Sequence, residues 1–100
     1  MKLSPATVEV IKKFSAEERL TREGGEKLRL FVLELLKKHE VITLDLQKKP
    51  IASVSFWDEG IAKLLDEGLT PTELKNRIKF KNILPRDLEV IERVVQGRTA

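Results

Sequence analysis

The segment Val41-Ile42-Thr43-Leu44-Asp45-Leu46 constrains the fold more than any other part of the chain. It is short, β-branched and almost continuously apolar, the pattern of a strand buried in a sheet. Ahead of it, from about Glu23 to His39, Leu28, Phe31, Val32, Leu35 and Leu36 recur at helical spacing, and Leu30 and Leu33 widen the stripe. A helix with so broad an apolar face is expected to lie on a sheet with little of itself free. Lys37, Lys38 and His39 fall in its expected last turn, where the helix dipole favours positive charge. Helix followed directly by buried strand marks an α/β protein.

The remaining elements extend that order. Thr7-Val8-Glu9-Val10-Ile11 is β-branched and partly alternating, which suits a strand. Ser4-Pro5 would equally serve as N-cap and first residue of a helix carrying Val10, Ile11 and Phe14 on one face; the strand is the reading taken. After the polar break Gln47-Lys48-Lys49-Pro50, Ser55-Phe56-Trp57-Asp58 has the spacing of a capping box, with Ser55 as N-cap. The helix it opens turns Ile61, Leu64 and Leu65 inward and ends near Gly68. Thr70-Pro71-Thr72-Glu73 is a second capping box. Arg77-Ile78-Lys79-Phe80-Lys81 alternates as a strand with one solvated face. Pro85 opens a last helix, with Leu88, Ile91, Val94 and Val95 on one face and Gly97 closing it. The expected architecture is a single domain over residues 1–100. Its sheet is small, mostly parallel or mixed, has three to four strands, is covered by helices and leaves at least one edge open.

Composition narrows the chemistry. With no cysteine, the chain has no disulfide, no thiolate nucleophile and none of the usual zinc or iron–sulfur ligand sets. The start Met1-Lys2-Leu3-Ser4-Pro5 lacks the apolar core of a signal peptide, and no apolar run approaches the ~20 residues that span a bilayer. The expected location is cytoplasmic, with no membrane association. The net charge of +3 comes from 19 basic and 16 acidic residues too evenly mixed to mark a nucleic-acid protein.

The strand Val41–Leu46 with Asp45 inside it, followed eight residues on by Ser53-Val54-Ser55-Phe56-Trp57-Asp58-Glu59, resembles the STAS-like domain family of unknown function. That family is distantly similar in fold to the anti-sigma-factor antagonists. Thr21-Arg22 ahead of Gly25 and Phe80-Lys81-Asn82 are lesser echoes, and the resemblance spans about residues 20–95. It implies a STAS-like fold and a non-enzymatic regulatory or adaptor module, one that binds a partner protein such as an ATP-binding, kinase-like regulator. It also implies that the phospho-accepting position of the antagonists falls on Val54, which has no hydroxyl; Ser53 and Ser55 lie on either side.

The partner-binding site expected from this resemblance is the loop from Pro50 to Ser55 with the start of the next helix: Ser53, Ser55, Trp57, Asp58 and Glu59. The plain alternative makes Ser55 and Asp58 a capping box and Trp57 a core or half-buried residue. Because Trp57 follows Phe56, both cannot face the core equally, so one of them, Trp57, is expected to be partly exposed. Asp58 and Glu59 point about 100° apart on a helix and do not form an acid/base pair. His39, the single histidine, has no His-x-x-x-His partner, so no metal site is expected. Gly24-Gly25 lacks the spacing of a phosphate loop and reads as a flexible lead-in to the long helix. No catalytic residue and no cofactor are expected. The rival reading is a nucleic-acid-binding module using Arg77, Lys79 and Lys81 as a phosphate-contacting ridge. The same lysines on a sheet edge would also simply prevent edge-to-edge association. Homodimerisation through an open edge is compatible with either function.

Overall fold

β2 (His39–Asp45) is the middle strand of a three-stranded, wholly parallel sheet, paired with β1 (Ser4–Glu9) on one side and β3 (Ile78–Lys81) on the other. This is the α/β fold expected, with its register fixed by Val8↔Leu44↔Phe80 and Glu9↔Asp45↔Lys81. The computed structural model describes residues 4–99; the first three residues of the expected leaderless start lie outside that range. The helices are α1 (Val10–Lys13), α2 (Arg22–Leu36), α3 (Val54–Gly60), α4 (Pro71–Arg77) and α5 (Pro85–Thr99), with 3-10 turns over Glu18–Leu20 and Ala62–Glu67.

Side-chain alternation divides the sheet. Val8, Ile42, Leu44 and Ile78 are buried beneath the helices, and Phe80 is half-buried beside them. On the other face Thr7, Glu9, Lys79 and Lys81 are exposed and Val41, Thr43 and Asp45 partly so, with no described element across them. The expectation of a sheet covered by helices therefore holds for one face only. The strand order explains it: connecting neighbouring strands in sequence order by right-handed crossovers puts every crossover helix on the same side.

Several boundaries differ from the sequence reading, each for a local reason. β1 takes in Ser4 and Pro5, so they do not cap a helix, and Val10 and Ile11 wind into the one-turn α1. α2 ends at Leu36, and His39 opens β2 with its Nδ1 2.9 Å from the Ser4 carbonyl oxygen; it does not sit in a helical last turn. α5 continues through Gly97 to Thr99. Leu30 stays exposed on the outer side of α2. The Thr70 capping box forms as expected: Thr70 Oγ1 accepts from Glu73 N at 3.1 Å and Glu73 Oε1 from Thr70 N at 3.0 Å.

Gly24 and Gly25 belong to α2 itself and admit neighbouring backbone, a different use from a flexible lead-in. A Cβ on Gly25 would lie 2.7 Å from the Phe56 carbonyl oxygen, and one on Gly60 would lie 2.8 Å from a Leu28 methyl. The two glycines thus let α2 and α3 cross with backbones nearly touching, which makes α3 the centre of the helical layer. Phe56 meets Phe14 edge-to-face at 6.1 Å, and Trp57 meets Phe80 the same way at 6.1 Å. Such aromatic pairs contribute about 0.5–1.5 kcal/mol beyond the area they bury.

Candidate functional site

The loop between β2 and α3 leaves the carboxyl edge of the sheet, where open α/β folds place their binding surfaces. Its backbone is unusual. Gln47, Lys48 and Ala52 all take positive φ, as does Asn82 in the neighbouring loop after β3. Non-glycine residues persist there only when their surroundings hold them. Two carboxyl groups do the holding. Asp45 accepts from Gln47 N at 2.9 Å and from Asn82 Nδ2 at 3.1 Å, while Lys48 N donates to the Asn82 carbonyl at 2.8 Å. Asp87, buried in the first turn of α5, accepts from Ile51 N at 2.8 Å, Ala52 N at 2.7 Å and Trp57 Nε1 at 3.1 Å.

With the loop fixed in this way, α3 starts two residues earlier than the Ser55 capping box predicts. Ser53 is the N-cap: its Oγ accepts from Phe56 N at 3.1 Å and donates to the Leu20 carbonyl at 3.3 Å. Ser55 is half-buried inside the first turn, and Asp58 is released from capping. Trp57 is fully buried, against the expectation of partial exposure. Because α3 lies between α2, α5 and the sheet, adjacent residues turned 100° apart both find cover. Trp57 is therefore a core residue and drops out of the contact surface.

Asp58 and Glu59 are tied into ion pairs that fasten α3 to its neighbours. Arg98 on α5 grips Asp58 with two bonds of 2.9 Å, and Arg22 reaches it at 3.1 Å. Those contacts, Arg98 foremost, hold the Asp58 carboxyl below its usual range. Glu59 accepts from Lys63 at 2.6 Å, Arg29 at 2.9 Å and Arg22 at 3.3 Å. The Lys63 ammonium, then Arg29 and Arg22, bring its carboxyl down to about 2 against a burial that would raise it. Arg29 also donates to the Glu59 carbonyl at 2.7 Å, closing the α2–α3 crossing. Among the described residues no group of three or more His, Asp or Glu side chains comes together as a metal site.

What remains on the surface here is apolar. Leu20 and Val54, on either side of the Ser53–Leu20 hydrogen bond, are 63% and 54% exposed. Glu17 and Glu23 line a shallow hollow beside Leu20, and Ser55 follows Val54. Of the five residues expected to bind a partner, Trp57 and Glu59 are buried, Ser53 is the buried cap, and Asp58 is nearly covered; only Ser55 keeps appreciable exposure. The basic ridge is also reduced. Arg77 ends α4 and donates to the Leu36, His39 and Glu40 carbonyls at 2.9, 2.9 and 3.0 Å, so Lys79 and Lys81 are what remains of the ridge on β3, and the Lys79 ammonium donates to the Lys75 carbonyl at 3.1 Å.

The residues that carried the sequence resemblance meet in space: Arg22 with Asp58 and Glu59, Trp57 with Phe80, Asp45 with Asn82. The family model described as a STAS-like domain of unknown function matches residues 24–87. The chain belongs to this family. No curated protein and no solved structure matches it significantly. In this STAS-like domain the family pattern is largely a set of mutual supports: a cap, two core aromatics and the ion pairs around α3. Val54 is the exposed first residue of α3.

Asp87, Arg29 and Arg98 were missed from sequence. For Asp87 one signal existed, since the indole N–H of a buried tryptophan requires an acceptor. Arg29 and Arg98 lie 30 and 40 residues from the acids they bind and carry no local signature.

Proposed function

We propose that this STAS-like domain is a non-enzymatic regulatory module of the cytoplasm that docks a partner protein on the face formed by Leu20, Val54 and Ser55. The observation that carries the reading is the exposure of two aliphatic side chains at a loop end held stiffly by Asp45 and Asp87. Because each is already partly covered, burying what remains exposed would contribute about 1–2 kcal/mol apiece before the cost of association. A stiff backbone keeps that cost low, because little loop entropy is lost on docking. The STAS-like pattern supports a protein partner, of which an ATP-binding, kinase-like regulator is the kind the resemblance implies. Val54 offers no phosphorylation switch at the antagonists' position, and the Ser53 hydroxyl is engaged in capping.

The test is a pull-down with tagged domain from nuclease-treated native lysate, with ATP present and absent, comparing wild type with Leu20→Glu/Val54→Glu. A stoichiometric protein retained by wild type and lost by an equally stable variant is the expected result. Equal retention by the variant would move the surface elsewhere. Recovery of nucleic-acid-associated proteins alone, removed by nuclease, would favour the Lys79–Lys81 strand instead.

A further inference from the structure

The outer edge of β3 borders a cavity of about 550 Å³. Its lining includes Ile61, Leu74, Ile78 and Phe80 on one side and Ile91 and Val95 of α5 on the other. β3 is an edge strand, and its backbone has a side to offer. Leu46 N donates to the Lys81 carbonyl, so Lys81 and Lys79 turn their peptide groups toward β2. Alternation then turns the N–H and C=O of Phe80 away from β2, to the free edge. A strand seated there would find an apolar hollow on the helix side and backbone partners beside it.

Charge specifies the rest. Lys81 stands exposed on the open face of the sheet at that same edge, Lys79 beside it reaches the Lys75 carbonyl with its ammonium at 3.1 Å, and Lys75 shares the rim of the cavity with Glu92. Among the described residues none of the three is ion-paired. Pairing β3 with β3 of a second copy would set lysines against lysines, which disfavours that occupant.

We infer that the β3 edge takes a fourth strand from a partner protein: an extended segment with apolar residues beside Ile78 and Phe80, alternating with acidic residues beside Lys79 and Lys81. The apolar residues fill the cavity toward Ile91 and Val95. The acidic ones lie on the open sheet face, where the lysines supply the complementary charge. This mode, strand addition, takes its affinity from main-chain bonds and its specificity from alternate side chains. The site uses none of the residues of the Leu20–Val54 face and stands or falls separately from it.

The test titrates the full chain with a short peptide alternating valine and glutamate and with its valine–lysine counterpart, following the Phe80 amide by NMR hydrogen exchange. The glutamate peptide is expected to bind and protect the Phe80 amide, and the lysine peptide to bind at least roughly tenfold more weakly. Lys79→Glu, an exposed change whose folding is checked by its thermal melt, is expected to reverse that preference. Equal binding of the two peptides, binding of neither, or protection confined to another segment would overturn the inference. So would concentration-dependent self-association that protects Phe80, which would give the edge to a second copy.

Discussion

Replacing Asp87 should cost this domain more stability than replacing any other polar residue. The residue is 1% exposed, and its carboxyl group accepts three N–H bonds of 2.7–3.1 Å, one of them from the indole of the fully buried Trp57. Asp87→Ala leaves the Ile51 N–H and Trp57 Nε1–H buried without acceptors, and the Ala52 N–H partly so. At about 1–3 kcal/mol for each buried unmet donor, the sum is roughly 3–5 kcal/mol. That is a large fraction of the ~5–15 kcal/mol available to a domain. Asp87→Asn should fall between. With its oxygen at the Oδ1 position it keeps the bonds to Ala52 and Trp57. Its amide then opposes the Ile51 N–H, at a cost of about 1–3 kcal/mol. Urea unfolding followed by Trp57 fluorescence reads both variants. With a slope of about 1–3 kcal/mol/M, the Asp87→Ala midpoint should drop by ~2 M and Asp87→Asn by about half that. A drop below ~0.5 M for Asp87→Ala would refute the claim that this side chain holds the loop.

Other outcomes follow from the same geometry. Gly24→Ala should be severely destabilising, because its Cβ would sit 1.7 Å from the Glu18 carbonyl oxygen. Gly97→Ala meets open space inside α5 and should stabilise by ~1 kcal/mol, both read by thermal melts. Ser53→Ala should lose about 1 kcal/mol of stability and Ser55→Ala about half that or less, reversing the order the sequence box implies. Glu59 titrates at about 2 in the folded chain against an ordinary 4.5. Its contribution is therefore fully present above the unfolded value and fades as pH falls from 4.5 toward 2. Glu59→Gln should be less stable at neutral pH and show a shallower acid loss across that window, measured by urea midpoints at stepped pH.

The parts of the fold legible in sequence were those whose signals are local. The apolar run Val41–Leu46, the α2 stripe, the Thr70 box and the Arg77–Lys81 alternation, all but Arg77 of which is β3, each declare themselves within a few residues. The helix start at Ser53 was not legible, because a Ser-x-x-Asp spacing at Ser55 imitates a box, while Ala52 at positive φ and distant Asp87 decide the matter. Trp57 was misplaced for a related reason: helical periodicity assumes one buried face, and α3 is covered on several. The open sheet face is a property of strand order, which no single strand encodes. The STAS-like pattern was readable, but most of the residues expected on its contact surface turn into the core or into ion pairs, and Ser55 alone of the five keeps appreciable exposure. Asp58 and Glu59 meet arginines from α2 and α5 that only the folded chain brings near. Exposed Leu20, lying in a polar turn, gave no sign that it would stand beside Val54.

Site-specific photo-cross-linking in the native cell extract tests the docking face most directly. A photoreactive residue replaces Val54 in one version of the domain and, as control, Lys37, the exposed C-cap of α2 ahead of the amino end of β2, in another. A discrete protein adduct is expected from position 54, absent from position 37 and abolished by Leu20→Glu. Equal adducts from both positions, or an adduct from 54 that survives Leu20→Glu in a folded variant, would contradict it.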